Sequence, residues 1–106
     1  MQFLVVARDG TDEAAVERRR RVRPEHLASI QPLVDEGHVL VGGAILSESG
    51  DMVGSMLLVE FADRAELDRW ISADPYVTEG VRRQIDVAPF RSAVGAWQPS
   101  TDDVSR

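Results

Sequence analysis

The sequence predicts an α+β domain of the ferredoxin-like, split βαβ type: a four-stranded antiparallel sheet with helices on one face, in the order β-α-β-β-α-β. Three observations carry this. Four short apolar or β-branched runs are spaced along the chain. Segments with helical periodicity follow the first and third of them, and a hairpin turn joins the second to the third. At 106 residues the chain has room for a single core.

Phe3 to Ala7 reads as the first strand. Asp9-Gly10-Thr11-Asp12 is a turn, with Thr11 or Asp12 placed to cap a helix and Glu13 in its first turn. Pro24 lacks an amide hydrogen and restricts Arg23 before it, so the pattern predicts a break. A short helix from about 12 to 21 and a second from Pro24 to Glu36 are expected. Leu27, Ile30, Leu33 and Val34 form the apolar stripe of the second, and Gly37 is its stop. Val39 to Leu46 and Val53 to Phe61 form a hairpin around Gly50. Asp63, with Glu66 three residues later, starts a helix whose stripe is Leu67, Trp70 and Ile71. Asp74 caps a one- or two-turn helix with Pro75 at its first position and Gly80 after it. Gln84 to Val94 is the last strand, with Pro89 marking an edge or bulge. The domain is expected to span 1–97, and 98–106 to form a polar, disordered tail.

Composition narrows the function. An apolar fraction of 43% and a charged fraction of 28% describe a soluble globular domain. There is no cysteine, which excludes disulfides and thiolate chemistry and suits the cytoplasm. All twelve basic residues are arginine, so no lysine is available for a Schiff base. A net charge of −6 argues against nucleic acid. Arg18 to Arg21 do not overturn that: successive helical side chains point about 100° apart, and Glu13 and Glu17 lie on the same segment. No apolar run approaches the roughly 20 residues that span a bilayer, and Met1 to Gly10 lacks a basic region followed by a long apolar stretch, so no signal peptide is expected there. Strands two and three are apolar at both parities (Val39, Val41 and Ile45 but also Leu40 and Leu46; Met56 and Leu58 but also Leu57 and Val59), which predicts a second covered sheet face and a homodimer.

Two segments offer chemistry. His26 falls near the third position of the helix expected to start at Pro24, where the helix dipole disfavours imidazolium and leaves a base-competent ring. Asp74 can cap with one carboxylate oxygen and face His26 with the other. If the crossovers bring these helix starts together, the pair can transfer protons; if not, both are ordinary helix starts. Arg23 and Arg19, four residues apart, could both present a guanidinium to an anionic substrate beside His26; the other reading is solvated helix surface paired with Glu17 or Glu25, which is favoured for Arg19. Tyr76 either lines the pocket or packs over its short helix. Ser55 can hydrogen-bond a ligand but has no nucleophile elbow around it. Gly42-Gly43 reads as a close backbone approach or a bulge. His26 and His38 lack metal-motif spacing and no phosphate-binding glycine loop is present, so neither a metal nor a cofactor is expected.

Arg23-Pro24-Glu25-His26-Leu27, Asp35-Glu36-Gly37, Gly42-Gly43, Gly54-Ser55, Ala73-Asp74-Pro75-Tyr76 with Gly80, and Val87-Ala88-Pro89-Phe90 together resemble the YCII-related (YciI-like) family over residues 1–95. The resemblance implies a dimeric α+β barrel of ferredoxin-like subunits with a His–Asp pocket, and His26 and Asp74 match that pair. Ala44 departs from it, standing where many relatives have proline, which loosens the strand beside the pocket. The expected protein is a small cytoplasmic homodimer doing cofactor-free general acid/base chemistry, of isomerase, lyase or hydrolase type, on a small polar or aromatic molecule. His26 and Asp74 would be catalytic; Arg23, Gly43, Ser55 and Tyr76 would bind substrate. The alternative is a non-catalytic module that binds a small ligand or a partner in the same pocket.

Overall fold

The computed structural model describes residues 1–95. The expected tail, 98–106, lies outside them. The elements are β1 (Gln2–Asp9), α1 (Ala15–Asp35), β2 (Val39–Leu46), β3 (Met52–Glu60), α2 (Arg64–Ala73), α3 (Pro75–Thr78) and β4 (Arg82–Phe90). They build one four-stranded sheet in the order β2-β3-β1-β4, antiparallel throughout, which is the ferredoxin-like arrangement the sequence predicts.

The largest correction concerns the first crossover. Pro24 does not end a helix: α1 runs unbroken through Pro24 and Pro32 for 21 residues. Proline interrupts a helix by leaving a carbonyl one turn earlier without its partner. Pro24 is on the exposed side of α1, as is Arg20 one turn before it, so water can serve that carbonyl. The opposite side carries the packing. Ala15, Arg19, Val22, His26 and Ile30 are buried at helical spacing, whereas Leu27 and Val34 of the expected stripe are exposed. Neither Thr11 nor Asp12 caps α1; Ala14 holds the N-cap position without a side-chain bond, and Asp12 accepts two hydrogen bonds from Arg18 instead. At the other end Gly37, at φ 83, turns the chain out of the helix, and the amides of Gly37 and His38 reach back to the carbonyls of Val34 and Leu33.

The second crossover follows its local signals. Asp63 accepts from the Glu66 amide at 2.9 Å to start α2, and Asp74 accepts from the Tyr76 amide at 2.8 Å to start α3 with Pro75 behind it. Gly80 leaves α3 with φ 74. Strand β4 begins at Arg82 and ends at Phe90, earlier at both ends than the expected Gln84 to Val94; it is an edge strand, where Pro89 is tolerated. The bulge in β2 lies between Val39 and Val41 and not at Gly42-Gly43.

Under the helices, Phe3, Val5, Leu57, Val59 and Phe61 pack against Ile30, Leu67 and Ile71 as the main core. The other sheet face carries Leu4, Val6, Ile45 and Leu58, together with Val41 (48% exposed), Met56 (36%) and Phe90 (42%). Both parities are apolar in space as they are in sequence.

Candidate functional site

Strand β1 changes character along its length. Phe3, Val5 and Ala7 face the helices, and the next inward position is Asp9, which is buried. A buried carboxylate needs a cation. Arg19, on the buried stripe of α1, supplies it: Nη1 donates to both Asp9 oxygens at 3.0 and 2.9 Å, and Nη2 donates to the Ser55 hydroxyl at 2.9 Å. Arg19 is therefore not solvated surface paired with a helix glutamate. It is 4% exposed, because position 19 shares its side of α1 with Ala15 and Val22.

Two turns further along α1, His26 meets the start of α3. Its Nδ1 lies 2.9 Å from Asp74 Oδ1 and 3.1 Å from Oδ2. Both side chains are buried. Burial would raise the Asp74 carboxyl, but the His26 hydrogen bond, the His26 and Arg82 charges and the Tyr76 amide outweigh it and hold the group below its ordinary 3.8. Asp74 is thus an acceptor and Nδ1 of His26 the donor, which leaves Nε2 as the ring nitrogen not engaged by Asp74. His26 lies in the middle of α1, so the helix-dipole argument for its basicity does not hold; the Asp74 carboxylate takes over the task of fixing the tautomer.

Tyr76, the only tyrosine, lies flat against this histidine, with ring centroids 3.9 Å apart and planes 12° from parallel. The guanidinium carbons of Arg19 and Arg82 lie 4.6 and 5.1 Å from its ring centroid. Burial raises the Tyr76 hydroxyl above its usual range, against the smaller pull of Arg19, Arg23 and Arg82, so it stays neutral. Tyr76 both packs over α3 and lines the site. The alternatives posed by the sequence are one arrangement.

These groups wall a cavity of about 290 Å³ between α1 and the β2–β3 side of the sheet. His26, Tyr76, Ser55, Gly43 and Arg23 all line it, Arg23 from an exposed position. Asp74 stands behind His26. Gly43 has open space where a side chain would begin; at Gly42 a Cβ would come within 2.5 Å of Leu57 Cδ2, so the close approach belongs to Gly42. Ala44 is part of the wall. Leu27, Ile30 and Leu57 add an apolar side.

Sequence reasoning missed Asp9 and Arg82 and placed Arg19 at the surface. Arg82 also lines the cavity, from β4, with its side chain 1% exposed and its Nη1 4.0 Å from Asp74 Oδ1. Among the described residues, no group of three or more histidine and carboxylate side chains is placed to hold a metal ion. No helix among them is long and apolar enough to cross a membrane.

Residues 1–91 match the model of the YCII-related domain. Over 97 residues the chain is 37% identical to the protein YciI of Escherichia coli O6:H1, covering 86% of this chain and 97% of that protein. The 5-chloro-2-hydroxyhydroquinone dehydrochlorinase of Burkholderia phenoliruptrix, solved in complex with 2,5-dihydroxybenzoquinone, superposes with a TM-score of 0.78 at 26% identity, over 88% of this chain and 96% of the enzyme. A conserved protein of Methanosarcina mazei superposes with a TM-score of 0.51 at 16% identity over 83% of this chain and 89% of its own, a likeness of fold alone.

Proposed function

This chain belongs to the YCII-related family, and we propose that its cavity is the active site of a cofactor-free general acid/base enzyme acting on a small ring compound. The buried contact between His26 Nδ1 and both Asp74 oxygens carries the reading. With Nδ1 committed to Asp74, Nε2 is the nitrogen left to accept a substrate proton in the cavity. The carboxylate then stabilises the imidazolium, as the acidic member of a triad does. In an elimination, His26 takes a proton from the ring compound, the released electron pair forms the new double bond, and the leaving group departs as an anion. The imidazolium afterwards returns its proton to solvent or to that anion. Ser55, Gly43 and Tyr76 would hold the ring, and Arg23 would face its charge from the rim.

The likeness to the dehydrochlorinase supports an elimination on a hydroxylated ring, and makes 5-chloro-2-hydroxyhydroquinone the first compound to try. Wild-type protein is expected to release chloride from it. His26→Gln should lower that rate at least about 100-fold in protein that is still folded by circular dichroism. If His26→Gln turns over as fast as wild type, the acid/base reading fails. A wild type that binds 2,5-dihydroxybenzoquinone without turning over any such ring would instead be a binding module.

The protein would work as a cytoplasmic homodimer. Val41, Met56 and Phe90 leave an apolar sheet face that a second copy would cover, in an interface of about 2,000 Å² or more. A stable monomer in sedimentation at micromolar concentration would refute that assembly.

A further inference from the structure

Arg82 is the anomaly of the cavity. Four other arginines have carboxylate partners within hydrogen-bond distance: Arg18 with Asp12, Arg19 with Asp9, Arg20 with Glu17, and Arg64 with Asp68. Those of Arg18, Arg20 and Arg64 lie at the surface, where a missing partner would cost little. The Arg82 side chain is more deeply buried than theirs, yet it donates no hydrogen bond among the described residues. Its Nε and Nη2, which share the edge of the guanidinium that a planar two-oxygen anion fits, are without partners among the described residues; both are shielded, so an anion in the cavity reaches them only as the groups that cover them shift. The nearest carboxylate oxygen, Asp74 Oδ1 at 4.0 Å, is beyond hydrogen-bond range and already accepts from His26 and the Tyr76 amide. A buried charged donor left unpartnered is expensive, and native structures keep such groups for a reason.

Charge points the same way. Asp9 neutralises Arg19, which leaves Asp74 to balance Arg82. Asp74 must also balance His26 once that ring accepts a proton. At that moment the wall carries two cations against one carboxylate, with Arg23 adding a third positive group at the rim. This stands out in a chain of net charge −6. Burial pulls Arg82 below the ordinary arginine range; Asp74 counters in part, and Arg19 works against it. Among the described residues the counter-charge beside Arg82 is Asp74, at a distance too long for a hydrogen bond.

We infer that the cavity takes a small planar monoanion, a carboxylate or an equally delocalised oxygen acid, received by Arg82 from β4 with Arg23 at the rim. Arg82 is then the residue that selects substrates by charge. A volume of about 290 Å³, just below the usual range of roughly 300–1,000 Å³, limits the anion to about one ring. The ring face would rest on the apolar side formed by Leu27, Ile30 and Leu57. The inference rests on the cavity being the small-molecule site proposed above; the excess of positive charge also needs a protonated His26, whereas the unpartnered Arg82 donors do not.

Benzoate and its neutral isostere benzamide test it on the full chain at matched ionic strength. Benzoate should raise the melting temperature with concentration and move the Arg82 Nε–H signal in nitrogen-proton spectra, and benzamide should do neither. Arg82→Gln should weaken benzoate binding at least about tenfold, the loss of one charged hydrogen-bond partner, and reduce its preference over benzamide. His26→Gln should keep both the binding and the preference, so a failed acid/base reading and a failed anion site give different results. Equal binding of the two probes, no binding of benzoate, or benzoate binding unchanged in Arg82→Gln would overturn the assignment. If Arg82→Gln does not fold, the wild-type Nε–H signal decides: one that benzoate does not move overturns it.

Discussion

At one end of the helix-covered sheet face, Phe3, Val59 and Phe61 pack with Leu67 and Ile71 into an apolar cluster. At the other end of the same strands, Asp9 and Ser55 lie beneath Arg19, and Arg82, Asp74 and His26 surround Tyr76. Only Val22 and Val81 join Tyr76 there as a small second cluster. The first end is held by contacts that any well-shaped set of apolar side chains could supply. The second depends on every partner being present, because charges removed from water are costly to leave alone. Such a region is costly to keep, and the apolar end supplies the stability that allows it.

The contrast can be broken most severely at Asp9. Asp9→Ala should cost about 3–5 kcal/mol in urea unfolding, since it strands Arg19 in the interior. Replacing both partners with apolar residues, Asp9→Leu with Arg19→Met, should recover most of that loss. A double variant as unstable as the single one would mean that the pair contributes far more than mutual neutralisation.

The apolar end should behave differently. Leu67→Ala removes a fully buried side chain and should cost about 2–5 kcal/mol through lost burial and a cavity. No change of partner residue is needed to explain that loss. The tautomer of His26, read from its ring nitrogen signals, should be unaffected, because Leu67 belongs to the other cluster. A tautomer change would show that the two ends are mechanically coupled.

The smallest effect sharpens the comparison by pH. Asp74 is held below its ordinary 3.8 in the folded chain, so its ionised form contributes stability that is complete above that value and is lost as pH falls through the lower folded one. Unfolding midpoints should therefore fall less steeply in acid, below about pH 4, for Asp74→Asn than for wild type. Asparagine still caps α3, which removes cap loss as an explanation. Identical slopes would mean that Asp74 is not preferentially ionised in the fold.

The sequence by itself determined the elements whose signals are local. Short apolar or β-branched runs placed the strands, and Asp63 and Asp74 placed the starts of α2 and α3 through their own side chains. The family motifs identified His26 and Asp74 as a pair, and the apolar parities of β2 and β3 marked both sheet faces. What depended on distant partners was hidden. Pro24 read as a break because a local rule cannot see that the opposite side of α1 is anchored by tertiary packing. That misreading also cut the stripe from Ala15 to Ile30 in two, so Arg19 looked like surface. Arg82 was less legible still. Strict alternation from the inward Ile85 and Val87 would point Arg83 inward and Arg82 out. The register shift between Arg8 and Asp9 reverses this, pairing Arg82 with Asp9 and burying it while Arg83 stays exposed. A one-residue irregularity in strand pairing costs little and leaves no mark in the sequence, yet it selects which arginine the cavity receives. Only the tertiary structure makes that choice.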